Sequence, residues 1–196
     1  MPILPIFAVT YALHANLPRD GAVSATIHIA STRENSAQIA VNGGAPVRVS
    51  LNNPGRPDRT VAPVLDFMVE ANAVAQAALQ SKSSVQIMLG PNRTCVALSL
   101  QRHGGTVTAV GTAELPPPPD RGQSQGGPPQ GGPPQGGPPQ GGPPQGGPPQ
   151  GGSHSVRVRI VATLEGQQLI NARGAITPIG DPRGPSVSWT LTKTGE

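Results

Sequence analysis

A mainly β (α+β) fold is predicted for these 196 residues by three features: segments whose apolar residues alternate with period two, glycine-bearing turns between them, and one stretch of helical spacing. The expected architecture is an antiparallel sheet, barrel or sandwich of roughly eight strands. One long amphipathic helix packs on it, and a disordered Gly-Pro-Gln tether interrupts the chain.

The period-two segments come first. Phe7, Val9, Tyr11 and Leu13 alternate with Ala8, Thr10, Ala12 and His14. From Ala22 to Ala30, Val23, Ala25, Ile27 and Ile29 share one face while Ser24, Thr26 and His28 share the other. Val47 to Leu51, Val156 to Ile160 and Ser186 to Thr192 repeat the pattern. Such runs bury one side and wet the other, as antiparallel sheets do. Asn42-Gly43-Gly44, Gly90-Pro91-Asn92, Gly104-Gly105 and Glu165-Gly166-Gln167 each separate two apolar runs. Gly and Asn supply the positive φ angles of tight hairpins there.

Between Thr60 and Gln80 the period changes. Val61, Val64, Leu65, Met68, Ala71, Ala75, Ala78 and Leu79 recur at helical spacing, with Asp66, Glu70, Gln76 and Gln80 elsewhere. Thr60 or Asp58 is the expected cap, and Pro63 fits the first turn. Asp66 and Glu70, four apart, read as a wet helix face rather than an acid/base pair.

Five copies of Gly-Gly-Pro-Pro-Gln run from Gly126 to Gln150, preceded by Pro116 to Pro119. They offer nothing apolar to bury, and proline cannot donate to a ladder. In composition the repeat resembles the Gly-Pro-Gln segments of salivary-type proline-rich proteins, a likeness confined to these few copies. The organisation expected is a β-rich body over 1–115 with its helix near 60–80, a tether over 116–155, and C-terminal strands over 156–196. The last piece is too short and too poor in large apolar residues to fold alone. Its strands therefore complete the sheet of the first piece, in the same chain or by exchange with a partner.

Residues that signal chemistry are few. His14, His28, His103 and His154 lack metal-ligand spacing, and neither a nucleophile elbow nor a phosphate loop occurs. No catalytic residue, metal ligand or cofactor is assigned, and an enzyme is not expected. Cys95 is the only cysteine, so no intrachain disulfide forms; it opens the apolar run Cys95 to Leu98 and reads as a small buried hydrophobe. Asn92-Arg93-Thr94 matches a glycosylation sequon by chance. The start, Met1 to Leu17, has no Lys or Arg before Arg19, so a signal peptide is not expected. No apolar run is long enough to span a membrane as a helix. The cytoplasm, or an assembled particle, is the expected location.

Charge is sparse. Only 12% of residues are charged, and the net is +4. Residues 1–120 hold eight Lys/Arg against seven Asp/Glu, and 151–196 hold five against three, so no dense basic run exists. Arg157 and Arg159 leave one face of a strand, with Arg173 on the next hairpin arm and Arg183 in a nearby loop. Together with Arg48 they are the candidate surface for nucleic-acid phosphates, although a solvated sheet face explains them more simply. Three readings follow in order. The first is a structural or assembly protein whose partner is itself, the second a nucleic-acid-binding β domain, the third an enzyme with an unrecognised site.

Overall fold

A computed structural model describes residues 8–18, 20–30, 36–50, 58–90, 93–115, 154–180, 184 and 186–195. The repeat of Gly-Gly-Pro-Pro-Gln and the rest of the expected tether up to residue 153 lie outside them, as do Arg183, Pro91 and Asn92. The strands are β1 (Val9–Leu17), β2 (Gly21–Ile29), β3 (Ser36–Val41) and β4 (Val47–Ser50), followed by α1 (Ala62–Leu79). Next come β5 (Ser84–Leu89), β6 (Thr94–His103) and β7 (Thr106–Leu115), then β8 (His154–Glu165), β9 (Gln168–Pro178) and β10 (Val187–Gly195).

All ten described strands form one antiparallel sheet in the order β4-β3-β2-β1-β10-β9-β8-β7-β6-β5. The sheet is open, not closed into a barrel. The four glycine turns bound only seven strands, since β6 is shared. The strand count exceeds the expected eight because β1, β2 and β10 join through other connections. The three strands after the repeat occupy the middle. Thr106 to Leu115 on β7 pairs with β8, and Thr10 to Asn16 on β1 pairs with β10. Their backbone groups are thus satisfied from within the chain on both sides.

Alternation decides the faces. Leu13, Ile27, Ile39, Leu98, Val107, Val158, Ile160 and Leu191 all point to the α1 side and join one core with the helix. The helix packs against β5 to β9. Phe67 stacks on Trp189 with ring centroids 5.5 Å apart and planes 22° from parallel. Gly174, which faces Trp189 across the β9–β10 ladder, leaves room for that indole; a Cβ there would fall inside its ring. Tyr11 is buried in the same core and donates a hydrogen bond to the Leu169 carbonyl at 3.0 Å; burial pushes its hydroxyl up to about 12.

Three local expectations need correction. Neither Thr60 nor Asp58 is the N-cap, because that position falls to Val61, which offers no side-chain cap. The Asp58 carboxylate instead accepts from the Thr60 N–H at 3.1 Å, and the Asp58 carbonyl accepts from Val61 and Ala62. The Asx turn precedes the helix and delivers the chain into it. Glu70 is not wet: it is only 5% exposed. Sheet and connections enclose more of α1 than its apolar stripe, burying ten of its eighteen residues. Cys95 is exposed rather than buried, since Val96 and Leu98 take the inward phase of β6. An apolar run of four on a two-period strand cannot face one way.

Candidate functional site

The side of the sheet away from α1 is open and polar, and its centre is hollow. Two rows of side chains cross it. The first is His14, Thr190, Arg173 and Val161 on β1, β10, β9 and β8; the second, one pleat along, is Asn16, Ser188, Ala175 and Arg159. With Ala15, Gly174 and Trp189 they line a concavity of about 500 Å³. Hydroxyl, amide, imidazole and guanidinium groups surround an apolar floor, and no carboxylate among the described residues lines it.

Of the five arginines expected to act together, the register unites three. Arg157 and Arg159 are successive outward residues of β8, and Arg173 lies diagonally from Arg159, two residues from its partner Ala175. Diagonal neighbours of this kind stand roughly 7–8 Å apart. All three are exposed, and none makes an ion pair or side-chain hydrogen bond among the described residues. Arg48 points from the same face but on β4, six strands from β8, where its Nε donates to Ser36 Oγ at 3.3 Å.

Charge on this face changes sign at its margins. Glu114 on β7 opposes Ser155, diagonally beyond Arg157, and Glu165 ends β8 at the opposite side. Among the described residues the positive zone is therefore local to β8 and β9. The described aromatic residues, Tyr11, Phe67 and Trp189, are all buried on the helix side. They leave no stacking platform on the open face.

His14, Asn16, Ser188 and Thr190 carry no sequence motif that marks them as site residues. The outward phase of each was readable; the adjacency of the first and last strands, which brings them together, was not. Among the described residues no group of three or more His, Cys, Asp or Glu is arranged to hold a metal. No helix there is long and apolar enough to cross a membrane, which says nothing of strands. On the covered side, burial pushes the Glu70 carboxyl up to about 8, with nearby Asp66 adding to the rise. Glu70 Oε2 has no hydrogen-bond partner among the described residues. Asp66 is also raised by partial burial, against the pull of Arg93.

The two margins of the sheet differ as much as its faces. Among the described residues β4 spans Val47–Ser50, carries Arg48 and follows Pro46. β5 runs six residues, Ser-Val-Gln-Ile-Met-Leu, without charge, proline or register shift, and exposes half of Met88. No family model, curated protein or solved structure matches the chain.

Proposed function

We propose that this protein is a non-enzymatic assembly subunit that associates with further copies of itself through the outer margin of β5. The observation that carries the reading is that β5, outermost of the described strands, holds no charge, proline or register shift along its length. Outer strands display a row of unpaired N–H and C=O groups, and proteins ordinarily blunt them with Lys, Pro, bulges or short length. β4 has such guards: it bears Arg48 and follows Pro46. β5 has no charge or proline within it, and its outward Met88 adds apolar area beside the strand's outer margin. Antiparallel pairing of β5 with β5 about a two-fold axis requires one sequence only, and an uncharged strand does not repel its copy.

Light scattering on the full chain tests this. A mass at least twice 19.9 kDa is expected. Gln86→Lys with Met88→Lys places two charges at exposed outward positions, and should return the protein to monomer with an unchanged circular dichroism spectrum. A wild-type protein that stays monomeric at high concentration sinks the reading. Nucleic-acid binding has narrower support, because among the described residues three arginines cluster and acidic residues bound them.

A further inference from the structure

The hollow at the centre of the open face has no part in edge association and is built for a different ligand. We propose that it binds a small organic molecule carrying a phosphate group. The phosphate would lie between Arg159 and Arg173, with the organic body on the floor made by Val161, Ala175 and Gly174.

Four observations support this. Two guanidiniums placed diagonally across one ladder can share the oxygens of a single phosphate, and their fork geometry suits bidentate contact. Neither guanidinium is committed to a carboxylate or a carbonyl among the described residues. Ser188, Thr190 and Asn16 add neutral donors along the same wall. The volume of about 500 Å³ falls within the roughly 300–1,000 Å³ of small-molecule sites, well beyond what a bare phosphate fills.

A small ligand is favoured over a nucleic-acid strand by the limits of the positive zone. A polymer needs a continuous cationic track or stacking surfaces. Here Glu114 and Glu165 flank the arginines, and the described aromatics face inward.

Phenyl phosphate, inorganic phosphate and a single-stranded oligonucleotide are each titrated into isotope-labelled full-length protein, and backbone amide shifts are followed. Phenyl phosphate should move Ser188 to Thr190 and Arg173 to Ala175, and should bind more tightly than inorganic phosphate. Arg159→Gln or Arg173→Gln should each weaken it roughly tenfold, the loss expected for one charge-assisted contact. Arg102→Gln, an exposed β6 arginine that donates to the Gly104 carbonyl outside the concavity, should leave affinity unchanged. The assignment is overturned if phenyl phosphate produces no shifts at millimolar concentration. Unchanged affinity in the Arg159→Gln/Arg173→Gln double variant overturns it too, as does a response to the oligonucleotide alone. Equal affinity for inorganic and phenyl phosphate would remove the organic body from the site.

Discussion

The two faces of the central strands are made from the same backbone and treat side chains in opposite ways. On β8, Val156, Val158, Ile160 and Ala162 are buried against the helix, while Arg157 and Arg159 alternate with them into solvent. On β10, Trp189 and Leu191 go in and Ser188, Thr190 and Thr192 go out. The inner face is held by volume and dryness; the outer face is free to carry function. Polarity should therefore be costly on one side and nearly neutral on the other.

Glu70 is the severest challenge to that contrast, being an acid on the inner side. In the unfolded chain its carboxyl ionises near 4.5, whereas in the fold burial, then Asp66, pushes it up to about 8. The folded state thus prefers the protonated acid. The stability this preference contributes is complete below pH 4.5, declines as pH rises, and is lost through about pH 8. A rise of this size corresponds to at most about 5 kcal/mol, at 1.36 kcal/mol per unit. Urea unfolding from pH 4.5 to mildly alkaline solution should show a decline of that order, and Glu70→Gln should flatten most of it. A variant with the same pH profile as wild type would mean that water reaches Glu70.

Second in size is the contact that fixes the indole. Gly174→Ala forces a methyl into the Trp189 ring, which should cost about 3 kcal/mol by overpacking. In a Trp189→Leu background the same change should cost less than about 1 kcal/mol, because the obstructing atoms are gone. Equal costs in both backgrounds would show that Gly174 is required for its backbone and not for the space it leaves.

Much of this inner face was legible in the sequence. Period two placed Val23, Ala25, Ile27 and Ile29 together, and helical spacing located α1 to within two residues at its start. Both are local properties, set by which side of an element meets water. The mispredicted residues depend on what lies opposite. Glu70 is buried because the surroundings of α1 are wider than its stripe, and Cys95 is exposed because neighbours fix the phase of β6. The concavity was the least legible feature. Arg159 and Arg173 lie on the two arms of a tight hairpin that the sequence shows, but His14 reaches them only through the β1–β10 pairing, which links residues about as far apart in the chain as it allows. Loop closure over that length leaves no local signature.

The smallest effect gives the cleanest comparison, because it uses one strand and one substitution. Val107 and Val110 both lie on β7 and face opposite ways, 1% and 40% exposed. Valine to threonine keeps shape and β propensity while replacing a methyl with a hydroxyl. At Val107 the hydroxyl must leave water for an aliphatic core, at a cost of about 1–3 kcal/mol. At Val110 it stays hydrated, and the change should fall within about 0.5 kcal/mol. Chemical denaturation of Val107→Thr and Val110→Thr at equal, low protein concentration measures both. Val110 opposes Arg159 across the ladder, so the second variant also reports on the open face. A penalty at Val110 as large as that at Val107 would mean that this face is covered in solution. If that penalty also grew with protein concentration, the covering body would be another copy of the chain, and association would run through the face and not through the margin of β5.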